Sequence, residues 1–576
     1  MEINERTMQA NVTDQTISPP AMWNPRIISL YMSVGVFSCA SVFLLITMDR
    51  FVNPYDEALI LVGSARVLSG DVAYRDFYSI YGPGQFYVLA TLFKIFGPSV
   101  LVERLWDLLI RACTVLVVYL TVDRAWSRWR ALFAAILTCL WLTHFGNYGY
   151  PIFPCLLFSL LSLYFMVPVY GGSRAITPVL VSGLCVGITI LFRHDVGIAT
   201  AVGGACTFGL FHLTCQLEAK RKTRALIRSA AIYTSGIALA LVPPLALLLA
   251  AGAAHDMILD LVLIPARIYV RTRSLPFPSV VEMARNIIHR RIGSLDQLAI
   301  YLPVAAVLLG VIAASAPGNP QRSARSVDEQ ALISQRRWIL VQLSVFALLF
   351  FFKGWVRVTL THMALAIVPS LVIMTVWEFT SRTAKVLFAV GTGCLLLVSL
   401  PPMRNARWRF EQNRTWAAQS SGVLGVTPSD SRSCFPPPGL ERLRCFYVSP
   451  NQLAAIRYVQ EHTGENEAIF IGNNRHDKIV YNDMLLYFLS KRAPVTKWHA
   501  FDPGVQTTLE IQTEMVGELQ TRRPRYIVLS SESEDVEEPN ESSRSSGVTV
   551  LDQFIHANYS TVAAFGPITI LGRRPD

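Results

Sequence analysis

Two adjacent carboxylates, Asp56-Glu57, follow Pro54 directly after a long apolar run. A carboxylate drawn partly out of water at such a place can act as a general base, because desolvation raises its pKa. The plain alternative is that the pair only caps a helix, where negative charge is favourable. Cations come in two clusters. Arg193-His194-Asp195 interrupts two apolar runs, and Lys353, Arg357 and His362 follow a third. Ionisable residues in apolar surroundings are costly and tend to serve a site. An internal Arg–Asp pair, or cations snorkelling at a membrane edge, are the structural alternatives. A base facing a group of cations suits a reaction in which a hydroxyl loses its proton while an anion, such as a phosphate, is held.

Weaker candidates surround these. Arg104 and Asp107 share a helical face at i, i+3 and can pair with each other. Arg267, Arg271 and Arg273, with Tyr269, form a basic patch suited to lipid phosphate. His476-Asp477 and Trp498-His499 read as loop residues. Asp56 and Glu57 can bind a divalent ion, but two carboxylates do not complete an octahedral site. No CxxC pair or HExxH motif is present, so the sequence names no metal or other cofactor.

The elements that must position these residues cross a membrane. Of 576 residues, 52% are hydrophobic and 16% charged, against about 25% charged in a soluble protein. The formal charge of +11 lies in short loops between apolar blocks, where it reads as a topology signal rather than a nucleic-acid surface. Some 26 mostly polar residues precede the first apolar run, which reads as a signal anchor. Spans are expected near 27–48, 100–122, 131–146, 151–169, 176–192, 196–214, 230–250, 296–314, 338–352, 359–379 and 384–400, about eleven helices in all. With residues 1–26 in the cytoplasm, every short basic loop falls inside. The loops 49–99 and 252–295, the turn at Arg193, the junction 353–357 and everything after residue 402 then lie outside. Residues 84–96 are apolar but too short to span and suit an interfacial helix.

From 403 to 576 the chain turns polar, with an acidic run from Glu532 to Glu538. Strand-like runs at Ala468–Ile471, Tyr526–Leu529 and Thr569–Leu571 alternate with helical patterns near 450–462, 481–491 and 507–521. The expected architecture is an α-helical polytopic membrane protein, with residues 27–402 as the membrane domain and a C-terminal soluble α/β domain on the outer face. Cys434 and Cys445 flank a triple proline in this polar stretch and suit a disulfide in an oxidising compartment.

The first outer loop resembles that of the glycosyltransferase C superfamily. The similarity is strongest to the branch with bacterial protein O-mannosyltransferase-like enzymes and lipid A aminoarabinose transferase. The matching residues are Asp56-Glu57, Gly70-Asp71, Gly82-Pro83-Gly84, Phe96-Gly97-Pro98-Ser99 and Arg104. The resemblance is specific over residues 50–125 and diffuse beyond. The family's lysine in a Lys-Pro-Pro segment, which meets the donor phosphate, is absent; Tyr81 or Gly82 stands near its place.

The resemblance implies a glycosyltransferase in the inner (plasma) membrane, with its active site extracytoplasmic. Its donor would be a sugar on a polyprenyl phosphate and its acceptor a hydroxyl of unspecified kind, with inversion at the anomeric carbon. Asp56 would be the base and Glu57 its support. Arg193, His194, Asp195, Lys353, Arg357, Tyr81 and Arg104 would bind the donor. Two other readings share the topology: a transporter or flippase, which calls for repeated halves and broken helices, and a surface-polysaccharide polymerase or ligase.

Overall fold

The computed structural model describes residues 25–146, 148–214, 219–288, 292–315, 326–377, 382–420, 434, 436 and 438–575. Helix α1 (Pro25–Ile46) leads to α2 (Asp56–Leu68), α3 (Pro83–Phe96) and α4 (Val100–Ala125). Then come α5 (Arg128–His144), α6 (Ile152–Tyr170), α7 (Ile176–Phe192), α8 (His194–Thr214) and α9 (Ala219–Ala250). A long connection carries α10 (Ala254–Ile258), two π-helical turns, α11 (Val270–Arg273) and α12 (Val280–Ile288). The bundle ends with α13 (Leu302–Ser315), α14 (Val327–Gly354), α15 (Leu360–Val376), α16 (Arg382–Val398) and α17 (Leu400–Ser420).

Eight helices among the described residues are long and apolar enough to cross a membrane, and α7 and α15 are shorter apolar helices. Helix α1 leaves Leu30 and Val34 uncovered, and α9 leaves Leu247 uncovered. Such faces are expected where the solvent is lipid. The apolar stretch at 84–96 is helical, as α3, and packs on α2 and α7. Helix α17 packs against α1 and α5 rather than against the sheet that follows.

The C-terminal part holds α18 (Pro450–His462), β1 (Phe470–Asn473), α19 (Leu485–Ser490), α20 (Leu509–Arg522), β2 (Tyr526–Ser530), α21 (Val550–Asn558), β3 (Tyr559–Phe565) and β4 (Ile568–Arg573). The sheet order is β1-β2-β4-β3. The β1–β2 pair is parallel, Phe470 opposite Ile527, and the two other pairs are antiparallel. Strand β3 escapes a pattern reading because it lies at the sheet edge with Ser560, Thr561 and Val562 exposed, so no apolar run marks it. Cys434 and Cys445 are joined by a disulfide.

This small domain is seated on the bundle. Phe51 bridges Tyr447, Tyr78 donates its backbone N–H to the Lys497 carbonyl, and α19 packs on α2.

Candidate active site

Helix α2 begins in a way that frees Asp56. The Asn53 carboxamide oxygen accepts the backbone N–H groups of Tyr55 and Asp56 at 2.9 and 2.8 Å, so Asn53 does the capping. Glu57 turns the other way. Fully buried, it accepts the Asn53 N–H at 2.9 Å and two bonds from Arg104, at 2.6 and 2.8 Å. The adjacent acids thus part: Glu57 ties α2 to α4, and Asp56 faces a cavity.

That cavity measures about 470 Å³ and lies where the bundle meets the small domain. Asp56, Tyr81, Tyr148, Tyr150 and His362 line it from the bundle; Tyr269, Arg273 and Arg357 come from the connections after α10 and α14. Tyr481, Asp502 and Glu538 close it from the small domain. The Tyr148 hydroxyl donates to Asp56 Oδ2 at 3.2 Å. Removal from water raises the Asp56 pKa; Arg273, the Tyr148 bond and Arg357 pull it back, and Asp502 pushes it up. The balance is a carboxyl above its ordinary value, and so a stronger base than a solvated aspartate.

Each arginine on the cavity wall meets a carboxylate. Arg273 donates to Asp502 at 2.5 Å and to the Tyr55 hydroxyl at 3.1 Å. Arg357 grips Glu538 with both terminal nitrogens, at 2.8 and 2.6 Å. The His362 ring lies 2.8 Å from the Thr359 hydroxyl and 3.4 Å from that of Tyr150.

A buried scaffold sets the Tyr148–Tyr150 turn. Glu103 accepts the Gly149 N–H, Gln85 donates to the Gly149 carbonyl at 2.8 Å, and Arg111 donates to the Tyr148 carbonyl at 3.3 Å. A side chain at residue 149 would run into Glu103 and Gln85, which accounts for the glycine. The Gly82-Pro83-Gly84 turn has a similar cause: a Cβ at Gly82 would overlap the Leu191 carbonyl at the end of α7.

One pairing expected from the sequence is corrected, and the other candidates take distinct places around the cavity. Arg104 does not pair with Asp107; its partner is Glu57, while Asp107 pairs with Arg111 at 2.7 Å. Arg104 and Glu57 are absent from the cavity wall, because each satisfies the other. Arg193 and Lys353 also stand off it. Both are directed to Asp195, at 2.9 and 3.7 Å, and the Arg193 guanidinium sits 5.3 Å from the Tyr81 ring centre and 3.3 Å from the Tyr150 hydroxyl. This Arg193–Asp195–Lys353 cluster backs the tyrosines rather than facing the space. His194 starts α8 behind it, with a buried Nδ1 that has no partner among the described residues. Asp56, Tyr81 and Arg357 do line the cavity, and so does His362.

Asp502, Glu538, Tyr55, Tyr148 and Tyr150 were not singled out by the sequence, and Arg273 was read only as part of a patch. The Tyr148-Gly149-Tyr150 repeat just past an apolar helix was the available signal. Nothing local marked Asp502. Among the described residues, no group of three or more His, Cys, Asp or Glu is arranged to hold a metal ion.

The family model described as dolichyl-phosphate-mannose-protein mannosyltransferase matches residues 81–247. In fold, the chain is similar to ArnT from Cupriavidus metallidurans bound to undecaprenyl phosphate. The TM-score is 0.53 at 14% identity, covering 95% of this chain and 99% of that one. The chain has the ArnT fold. The apo form of the same ArnT gives a TM-score of 0.55 at 13% identity over 95% of this chain and 100% of that one. No curated protein matches the sequence. The fold shared with ArnT therefore runs through nearly the whole chain, small domain included, at an identity so low that each site role is argued from this chain's own residues.

Proposed function

We propose that this chain transfers a sugar from a polyprenyl-phosphate donor to an acceptor hydroxyl at the outer face of the membrane. The observation that carries the reading is Asp56, relieved of capping by Asn53, facing Arg273 and Arg357 across a tyrosine-walled cavity. Asp56 takes the acceptor proton as the hydroxyl attacks the anomeric carbon, with inversion. Arg273 and Arg357 hold the phosphate that leaves, a charge that hydrocarbon cannot solvate. The tyrosines offer flat faces and hydroxyls to the sugar. Glu57 and Arg104 position α2, and Arg193, Asp195 and Lys353 brace Tyr81 and Tyr150.

Lipid phosphates appear in both comparisons, as undecaprenyl phosphate bound to ArnT and as dolichyl phosphate in the family description. The outer-face assignment rests on the one-sided basic loops, and it places residues 403–576 outside. The test is a transfer assay in membranes with a panel of polyprenyl-phosphate sugars and mass detection of products. Sugar-bearing product with at least one donor supports the reading; no product with any donor removes it.

A further inference from the structure

The two arginines of the cavity are not held alike. Asp502 is 5% exposed and collects Arg273, the Tyr55 hydroxyl at 3.1 Å and the Tyr78 hydroxyl at 3.3 Å. Its own N–H is fixed on the Gln506 side chain at 2.7 Å. That pair belongs to the wall. Glu538 stands at the end of the acidic run, on irregular chain between β2 and α21, and among the described residues its carboxylate is met by Arg357 and by the Asn540 amide at 2.9 Å.

The contact on Arg357 is a two-pronged fork from both terminal nitrogens to both carboxylate oxygens. A guanidinium makes the same fork with two oxygens of a phosphate. The Arg357 carbon skeleton is anchored independently, since its Nη1 also donates to the Arg273 carbonyl at 3.0 Å and the neighbouring backbone pairs with Leu275. Removing Glu538 therefore leaves Arg357 in place.

We propose that Glu538 is an internal stand-in for the donor phosphate: its carboxylate occupies the phosphate's place on Arg357, and the lipid phosphate binds by displacing it. The inference rests on the lipid-phosphate reading of the cavity. It assigns the small domain a role in setting donor affinity, through an acidic segment that withdraws as the donor enters. The neighbouring acids of the run, Asp535 and Glu537, are exposed and take no part in the cavity wall.

The probe is undecaprenyl phosphate in detergent micelles, its binding to the full chain followed by intrinsic fluorescence. Glu538→Gln is expected to tighten binding about five-fold, the upper end of the scale for one such ion pair. Glu537→Gln is expected to leave it unchanged. In an Arg357→Ala background, Glu538→Gln is expected to do nothing further. Weaker or equal binding by Glu538→Gln, equal tightening by Glu537→Gln, persistence of the effect without Arg357, or no binding by any variant each overturns the proposal. The transfer assay separates the two claims. Tighter binding without transfer by the wild type keeps the stand-in and removes the enzyme reading; transfer with weaker binding by Glu538→Gln does the reverse.

Discussion

Arg104 closes on Glu57 through two guanidinium nitrogens, at 2.6 and 2.8 Å, and donates to the carbonyls of Asp49 and Phe51 at 3.0 Å each. One arginine on α4 thereby fixes the whole turn that delivers Asp56. The arginine and glutamate side chains are 2% and 0% exposed. Breaking such a pair leaves a buried charge uncompensated, at a cost of about 3–5 kcal/mol. Arg104→Ala is expected to show that loss as a lowered melting temperature and less folded protein. A variant that melts like wild type contradicts the positioning role.

The Tyr148 hydroxyl bond lowers the pKa of Asp56 against the larger upward push of burial, with Arg273 and Arg357 also lowering it and Asp502 raising it. A base works when ionised, so transfer rises with pH as Asp56 loses its proton. Tyr148→Phe removes a lowering contribution, so the acidic limb of the pH–rate profile is expected to move to higher pH. A shift to lower pH contradicts the assignment.

Arg357 and Arg193 separate by readout. Arg357 faces the cavity, and its replacement by Gln is expected to lower kcat/KM for the donor roughly ten- to a hundred-fold, the scale of a charged hydrogen bond. Arg193 backs Tyr81 and pairs with Asp195, so Arg193→Gln is expected to lower thermal stability more than donor use. Kinetics with melting curves on both variants decide the matter; the reverse pattern restores Arg193 as the phosphate cation.

Asp260 lies in the connection after α10 and accepts the Ser79 N–H at 3.1 Å, while its Oδ1 is buried without a partner among the described residues. Burial pushes its pKa up to about 7. The folded value exceeds the unfolded one, so ionisation works against folding. The penalty grows by about 1.4 kcal/mol per pH unit between the two values and is constant above the folded one. Asp260→Asn is expected to be more stable than wild type at pH 8, with the gap narrowing as pH falls from 7 toward 4. Denaturation across that range checks it; a gap independent of pH contradicts it.

The helices and the polar tail were legible because spans need long apolar runs, which composition cannot hide. Asp56 and Tyr81 were legible because their loop is a continuous segment with its own turn chemistry. The division of labour between Asp56 and Glu57 was not, since it depends on Arg104, 47 residues away from Glu57. The same holds for the phosphate cations. An internal Arg193–Asp195 pair was open in the sequence, but not that Lys353, from a distant helix, shares the same carboxylate. Arg273 and Asp502, 229 residues apart, meet only when the small domain closes on the bundle.

The central claim is that Asp56 is the base. Its carboxylate does no capping, because Asn53 does that work, so Asp56→Asn keeps the fold and removes the proton acceptor. The decisive measurement is sugar transfer by purified Asp56→Asn, normalised to folded protein, beside wild type with the same polyprenyl-phosphate donor. A fall of about a hundred-fold or more is predicted, with an unchanged melting curve; turnover near that of wild type contradicts the account.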